Sequence, residues 1–322
     1  MQADFENLTP DIVLEAVEVA LRISLTGLTQ PLTSYINRVY ELEATDGTRL
    51  IAKFYRPGRW SPRALQDEHD FVLECVDAEI PVIPPMELPG GHTLGAIDGI
   101  CFAVFPKRFS RHFEIIHDDD WRRLGRILGR LHMVGSDHAA EDRVTLHPQM
   151  STVNDVHQLL DGEFVAPHLE EEFQATGQQI LDLVTPLFDD REQIRIHGDC
   201  HAANILNDPD DGLMLIDFDD MAMGPPAQDF WMLLPEHARQ SRREIDLILD
   251  GYEDFREFDY FSLKLIEPLR AMRSLYFLAW CSRQVNDPAF QNNFPDWGNH
   301  NFWQSEITAL QRQLTIIKDH RE

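Results

Sequence analysis

The sequence predicts an α+β fold in two parts, a β-rich N-terminal lobe over residues 1–105 and a helical C-terminal lobe over residues 106–322. Three observations lead to this prediction. At 322 residues the chain is longer than one hydrophobic core usually supports. Residues 25–105 are mainly strand-like runs with one inserted helix, whereas apolar residues recur at helical spacing from about residue 117. We therefore expect a cleft near residue 106, where the two patterns meet.

Two hydroxyl–proline pairs mark helix starts in the N-terminal lobe. Thr9-Pro10 combines an N-cap hydroxyl with a proline at the first helical position and predicts a helix over roughly 10–21. Ser61-Pro62 repeats the pattern and begins a helix that runs to about Ala78 and contains Glu68.

Two aspartate–glycine turns mark hairpins in the same lobe. Thr45-Asp46-Gly47 lies between VYELEA and RLIAKFY, and Asp98-Gly99 lies inside HTLGAIDGICFAVFP. An Asp-Gly turn between β-prone runs is a hairpin signal. The first hairpin places Lys53 in a strand.

The C-terminal lobe is predicted to be helical with one exception. WRRLGRILGRLHMVG repeats apolar residues at helical spacing. Further helices are expected near 170–188, 227–234, 241–257, 261–284 and 302–318. The exception is segment 193–220, where QIRI and LMLI are short strand-like runs on either side of a polar loop.

The composition disfavours two classes of partner. Acidic residues outnumber basic ones 55 to 28, giving a net charge of −27, which disfavours binding to nucleic acid or to an anionic membrane. The four cysteines are scattered, with no C-x-x-C pair, and read as reduced thiols. No basic, apolar leader and no run of 18 apolar residues appears. We therefore expect a cytoplasmic protein, and a monomer.

The strongest chemical signal is the segment from His197 to Asn204, HGDCHAAN, followed by LMLI and then by DFDD from Asp217. Phosphoryl transfer requires an oriented acceptor hydroxyl and neutralised phosphate charge, usually through magnesium. Magnesium prefers carboxylate, carbonyl and water oxygens, so an Asp and an Asn on adjacent loops suit a site that bridges a triphosphate. The sequence therefore predicts phosphoryl transfer from ATP with Mg²⁺.

The spacing in this segment matches the H-x-D-x-x-x-x-N catalytic loop of protein kinases. Asp199 is then the base that accepts the substrate proton, and Asn204 and Asp217 are the Mg²⁺ ligands. Gly198 stands where the protein-kinase signature has arginine. With that departure, HGDxHxxN followed by IDxxD resembles the aminoglycoside phosphotransferase, choline kinase and homoserine kinase branch of the bilobal protein-kinase-like fold. A zinc site at His197 and His201 is less favoured, because i, i+4 spacing joins two ligands only on a helix.

Two upstream charges fit an ATP site. Lys53 has the residue type that contacts the α- and β-phosphates, and Glu68 in the next helix could pair with it, as in kinases. The glycine-rich phosphate loop and the Walker A motif are both missing from the sequence, which excludes a P-loop NTPase. Ser34 or Thr33, between the first two strands, could donate to a phosphate oxygen, although a simple turn role is equally favoured.

The adenine site is expected at the lobe junction. There the strand CFAVF runs into Pro106, and backbone groups of Phe105 and Lys107 could meet the edge of the base. Asp229, at a predicted helix start in GPPAQDFWMLL, could hydrogen-bond the catalytic-loop backbone, a supporting role rather than a catalytic one.

The whole chain resembles bacterial serine/threonine protein kinases that share the aminoglycoside phosphotransferase fold and act in stress responses. The resemblance rests on SYINRVY, AKFYRPGRW, DEHDF, FAVFP, HGDCHAANIL, DFDD, GPPAQDFWMLL, IEPLRAMR, LAW and DPAFQNNFPDW. It implies protein serine or threonine hydroxyls as acceptors, a role in protection against envelope or oxidative stress, and Ser34 in the loop that binds the ATP phosphates.

IEPLRAMR places Glu267, Arg270 and Arg273 on one side of a helix. The simpler interpretation is that they form only an ion-paired surface of that helix. Our hypothesis is that the two arginines shape the acceptor end of the cleft near Asp219 and Asp220.

Two other functions stay open. A small-molecule kinase could use the same residues on an amino-alcohol, sugar or aminoglycoside hydroxyl, and the acidic charge would suit such a substrate. A pseudokinase or binding module is disfavoured, because Lys53, Asp199, Asn204 and Asp217 are all present.

Overall fold

The computed structural model describes residues 5–34, 36–108, 111–208, 212–287 and 290–319. Tyr35 of SYINRVY, and residues 288 and 289 of DPAFQNNFPDW, lie outside the described residues. The chain divides into two compact units, each assembled from separate segments. The first unit comprises Met1–Ile116, Met133–Arg143 and His201–Met221, and the second comprises His117–His132, Val144–Cys200 and Ala222–Glu322.

The first unit is built on an antiparallel sheet of five strands in the order β1-β2-β3-β5-β4. The strands are β1 Leu25–Leu32, β2 Arg38–Ala44, β3 Arg49–Phe54, β4 Gly95–Ile97 and β5 Ile100–Pro106. Its helices are α1 Pro10–Leu21 and α2 Pro62–Asp77. The predicted hairpins at Asp46-Gly47 and Asp98-Gly99 are confirmed, since β2 pairs with β3 and β4 with β5.

Both predicted helix starts are also confirmed. The Thr9 side chain accepts a hydrogen bond from the Ile12 amide at 3.4 Å, and the Ser61 hydroxyl accepts one from the Ala64 amide at 3.0 Å. Side chains of α1 and of strands β2, β3 and β5 form the core of this unit, around Val13, Leu42 and Phe102.

A small sheet in the order β6-β8-β9 completes the first unit. Its strands are β6 Arg111–His112, β8 Ile205–Asp208 and β9 Gly212–Leu215. Strand β9 contains the first three residues of the predicted LMLI run and ends before Ile216. The sequence patterns missed β6 and β8, which are too short to show a period.

The second unit is mainly helical. Its elements are α3 Asp118–Gly135, α4 Val153–Asp161, α5 Glu170–Phe188, α6 Gln228–Trp231, α7 Arg242–Tyr252, α8 Ile266–Ser282, α9 Phe290–Asn293 and α10 His300–Asp319, together with β7 Ile194–Ile196 and β10 Ala222–Gly224, which pair with each other. The last residues of α3 belong to the first unit. Helices α4, α5, α8 and α10 share one buried core around Phe173, Leu275 and Trp303.

Three predicted helices have different bounds. The helix expected near 227–234 covers only Gln228–Trp231. The helix expected over 261–284 is a 3₁₀ helix, Tyr260–Leu265, followed by α8, because Pro268 is tolerated only in the first turn of an α-helix. The helix expected over 241–257 ends at Tyr252, where two acidic residues follow and negative charge at a helix C-terminus is unfavourable. In the described part of the chain, no helix combines the length and apolarity that crossing a membrane requires.

Candidate active site

The predicted catalytic loop begins where strand β7 ends in the second unit. His197 and Gly198 follow the strand, and Gly198 has a φ of +82°. A side chain would be strained at that angle, so glycine lets the chain turn directly in front of Asp199. This need explains why the motif carries glycine before the aspartate.

Asp229 holds the backbone of that turn. Its carboxylate accepts hydrogen bonds from the amides of His197 at 2.8 Å and Gly198 at 2.9 Å, and lies 3.0 Å from Nε2 of His132. Burial alone would raise the Asp229 pKa, but the hydrogen bonds from His132 and His197 bring the pKa below its ordinary value. The residue is fully buried, so its contacts are those of a supporting group.

Two neighbours extend this support. The Gln228 side chain donates to the Gly198 carbonyl at 2.9 Å and accepts from the Trp231 indole at 2.9 Å. The other ring nitrogen of His132 lies 3.1 Å from the Tyr252 hydroxyl. The Gly198 peptide is therefore fixed on both its amide and its carbonyl side.

Asp199 itself is partly open to solvent. Its side chain is 21% exposed, and Oδ1 accepts from Nη2 of Arg273 at 2.7 Å. The Arg273 guanidinium also lies 5.1 Å from the ring centre of Tyr276, one turn further along α8. A carboxylate that is held in place yet reachable suits a group that receives a proton from a substrate.

Arg270, one turn before Arg273, has different partners. It donates to the carbonyl oxygens of Glu236 at 2.7 Å and Trp231 at 3.5 Å. Of the two arginines, Arg273 contacts the predicted base and Arg270 ties backbone segments of its own unit together. Their predicted role near Asp219 and Asp220 stays a prediction.

Asn204 and Asp217 lie in the first unit, at the same end of the hairpin formed by β8 and β9. Ile205 pairs with Leu215, and the Ile216 amide donates to the Asn204 carbonyl at 3.0 Å. Asp217 has a left-handed backbone with φ of 62°, an unusual conformation that aspartate tolerates better than most residues. Its side chain is 52% exposed, whereas Asn204 is 8% exposed.

These two residues fit a hard divalent cation by the chemistry of their donors. An amide and a carboxylate oxygen on neighbouring turns are ligands that Mg²⁺ prefers, with water and phosphate oxygens to complete the shell. Among the residues described, no cluster of three or more His, Cys, Asp or Glu is arranged to hold a metal.

Lys53 lies on β3 and reaches the segment that Asp217 begins. Its ammonium is 2.8 Å from Oδ1 of Asp217 and 3.4 Å from Oδ1 of Asp219. Burial by itself would lower the Lys53 pKa, but the facing carboxylates, led by Asp217, raise it well above its ordinary value. The structure thus brings together the predicted phosphate-binding lysine and one predicted metal ligand.

Glu68 differs from the sequence expectation. Its Oε2 lies 3.7 Å from Nη1 of Arg143, while the ion pairs of Lys53 are with Asp217 and Asp219. Burial raises the Glu68 pKa to about 7, although the charges of Lys53 and Arg143 oppose that rise. The charge of Lys53 still acts on Glu68, and the role of Glu68 in an ATP site stays a prediction.

Arg59 is a site residue that the motif reasoning did not assign. Its guanidinium pairs with the carboxylates of Asp219 and Asp220. Burial would raise the Asp219 pKa, but Lys53 and Arg59 bring it down to about 2. The sequence feature that could have indicated Arg59 is its position in AKFYRPGRW, shortly after the strand that carries Lys53.

The loop between β1 and β2 contains Ser34, which is partly exposed. Arg56 braces this loop, since its amide donates to Oδ1 of Asn37 at 3.0 Å and its Nε to the Ile36 carbonyl at 2.9 Å. Leu32 and Val39 pair across the two strands, so Ser34 lies in the loop that closes the hairpin. Its role in phosphate binding stays a prediction.

Phe105 and Lys107 lie at the end of β5. Phe105 pairs with Ile51 and packs against a cluster around Leu65. The Lys107 amide donates to the Arg49 carbonyl at 3.1 Å, and its ammonium lies 2.7 Å from Glu41. That amide is already bonded within the sheet, which leaves adenine recognition by these residues a prediction.

The fold and these residues define a phosphotransferase. The chain belongs to the phosphotransferase enzyme family (APH), which matches residues 28–266. Stress response kinase A of Escherichia coli strain K12 is 38% identical over 317 residues, covering 98% of this chain and 95% of that protein. Serine/threonine protein kinase RdoA of Salmonella typhimurium strain LT2 is 38% identical over 321 residues, with 98% and 95% covered.

A solved structure supports the fold. Amicoumacin kinase hAmiN, in complex with AMP-PNP, Ca²⁺ and Ami, matches with a TM-score of 0.72 at 18% identity, covering 96% of this chain and 93% of that chain. The predicted α+β kinase-like fold and the resemblance to bacterial stress-response kinases are therefore confirmed.

Proposed function

We propose that this chain is an ATP-dependent serine/threonine protein kinase that acts in a bacterial stress response. The observation that carries the proposal is Asp199, partly exposed in an HGDxHxxN loop whose backbone is fixed by the buried Asp229. The names of relatives at 38% identity over 98% of the chain favour protein hydroxyls as acceptors. A cytoplasmic location belongs to the same proposal and rests on four scattered free cysteines.

In this proposal Asp199 orients the acceptor hydroxyl and takes its proton. The hydroxyl oxygen forms a bond to the γ-phosphorus, the bond from that phosphorus to the bridging β–γ oxygen breaks, and ADP leaves. Lys53 binds phosphate oxygens, and these replace Asp217 as its partner. Asn204 and Asp217 would hold Mg²⁺, which supplies neutralisation of phosphate charge. Most of the catalysis is then positioning and electrostatics.

The remaining ATP contacts are assigned by position. Ser34 in the hairpin loop would donate to a phosphate, and the backbone of Phe105 and Lys107 would meet adenine. Because the Lys107 amide is bonded to Arg49, its carbonyl is the group better placed to accept from the base.

A second candidate is a small-molecule kinase. Amicoumacin kinase shares this fold, and a net charge of −27 would attract a cationic alcohol. The two functions use the same catalytic residues and differ only in the acceptor.

Purified protein incubated with labelled ATP and Mg²⁺ separates them. We expect label on the chain itself or on a basic protein acceptor, and a fall of about 10²–10⁴-fold in turnover for Asp199→Ala, the range for a positioned base. The Asp217→Asn variant should need more Mg²⁺ than wild type for half-maximal ATP turnover.

Rapid turnover with amino-alcohols and no protein labelling would favour the small-molecule kinase. Equal ATP consumption by wild type and both variants would refute the mechanism.

A further inference from the structure

A buried arginine outside every predicted motif touches the segment that follows Asp217. Arg143 is 5% exposed, its side chain is fully buried, and both it and the segment lie in the first unit. A guanidinium removed from water needs hydrogen-bond partners and opposite charge to compensate for lost hydration. Its partners therefore indicate what it does.

On one side the guanidinium binds three carbonyl oxygens of the segment. Nε donates to Met221 at 2.7 Å, and Nη2 donates to Asp219 at 2.6 Å and to Phe218 at 3.4 Å. These carbonyls belong to the turn that directly follows Asp217, whose own backbone is left-handed. The arginine therefore holds the turn that sets the direction of the Asp217 side chain.

On the other side the same group binds α2. Nη1 donates to the Ala64 carbonyl at 3.3 Å and lies 3.7 Å from Oε2 of Glu68. The Trp60 ring covers the guanidinium, with its centre 3.9 Å away. One side chain thus joins the helix that carries Glu68 to the segment that carries Asp217.

We propose that Arg143 is a positioning residue for the metal- and phosphate-binding segment, an inference that rests on the proposed role of Asp217. The planar guanidinium has five N–H donors and can donate to carbonyls on two sides at once. Lysine keeps the positive charge but lacks that geometry. Groups that orient a ligand-bearing segment in this way typically change metal affinity by about 10–100-fold when they are replaced.

The test compares Arg143→Lys with wild type in the full chain. We expect the Mg²⁺ concentration for half-maximal ATP turnover to rise about 10–100-fold. Without metal or nucleotide, amide hydrogen exchange in residues 217–221 should be at least about tenfold faster in the variant. Arg243→Lys is the matched control, because Arg243 is 68% exposed and pairs with Asp118 on the surface. This control should leave both measurements unchanged.

A purely structural arginine would lower stability and turnover at every Mg²⁺ concentration without moving the half-maximal point. That result, or wild-type exchange in 217–221, overturns the proposal. Trp60→Leu keeps the arginine and removes its cover, so a smaller shift in the same direction is expected. If Arg143→Lys does not fold, a folded Trp60→Leu with wild-type Mg²⁺ dependence overturns the proposal instead. An Asp217→Asn variant with wild-type Mg²⁺ dependence would refute the proposed function separately.

Discussion

Two aspartates near the catalytic loop have opposite surroundings. Asp229 is fully buried and accepts from two backbone amides, whereas the Asp199 side chain is 21% exposed and accepts from Arg273 through Oδ1 at 2.7 Å. A buried carboxylate with such partners cannot reach a substrate, and its loss would release the loop. The partly exposed carboxylate is accessible to a substrate, which suits the proposed base.

Replacing Arg273 tests the contact with that base. The guanidinium donates to Oδ1 of Asp199 and orients the carboxylate, so Arg273→Gln should lower turnover by about tenfold to a hundredfold. Steady-state rates at saturating ATP and Mg²⁺ measure the fall. Arg273→Lys, which restores a positively charged donor, should recover part of the lost turnover.

Arg270→Gln is the matched control on the same helix. Because Arg270 donates to the carbonyls of Glu236 and Trp231, its loss should reduce stability and leave the turnover of the folded protein near that of wild type. Equal turnover of wild type and Arg273→Gln would contradict the interpretation of the Arg273 contact.

At the scale of elements, α3 and α7 pack with their backbones nearly touching. A Cβ on Gly125 would fall well inside van der Waals distance of the Ile248 carbonyl oxygen, and one on Gly129 would lie 2.6 Å from that of Tyr252. Backbone atoms cannot move aside as a side chain can. Gly125 and Gly129 are therefore packing residues, although glycine disfavours a helix.

Gly125→Ala should accordingly destabilise the protein. Helix propensity alone would raise the free energy of unfolding by about 1 kcal/mol, but overpacking against backbone costs about 1–3 kcal/mol. We expect a net fall in the free energy of unfolding of up to about 2 kcal/mol, measured by urea unfolding. Gly177→Ala in α5 is the control, because its Cβ would meet only Val156 methyl groups at 3.4 Å. Equal effects of the two substitutions would disprove close packing of α3 on α7.

At the scale of the whole molecule, buried carboxylates set the pH dependence of stability. Burial raises the pKa of Glu68 to about 7 and that of Asp155 to about 6. Between the ordinary pKa and the raised one, the folded chain retains protons that the unfolded chain has released. Stability therefore falls as pH rises through this window. Asp219, with its pKa at about 2, acts in the opposite direction only in strong acid.

Glu68→Gln mimics the protonated acid, so it should remove the part of the fall in stability that Glu68 causes as pH rises. The free energy of unfolding of the variant should change less with pH between about 4.5 and 7, and at pH 8 should exceed that of wild type by about 1–3 kcal/mol. Urea unfolding at several pH values measures both effects. In the control Glu141→Gln, at an exposed position, the free energy of unfolding should depend on pH as in wild type. A steeper dependence in Glu68→Gln would refute the role of Glu68 in the pH dependence of stability.

Local chemistry made much of the fold predictable. Thr9-Pro10, Ser61-Pro62 and the two Asp-Gly turns act through neighbouring residues, and each begins or ends an element as predicted. The short strands β6, β8 and β10 could not be predicted, because two to four residues show no reliable period and their pairing depends on distant strands.

The sequence by itself determined the fold class, the catalytic-loop motif and the candidate residues Asp199, Asn204 and Asp217, because their spacing is a local property of the chain. Only the tertiary structure decided their partners. Arg143 contacts the segment that follows Asp217, although 74 positions separate residues 143 and 217. Arg273 contacts Asp199 from helix α8. Such contacts depend on which long, charged side chains the fold brings within about 4 Å, and no local pattern encodes that distance.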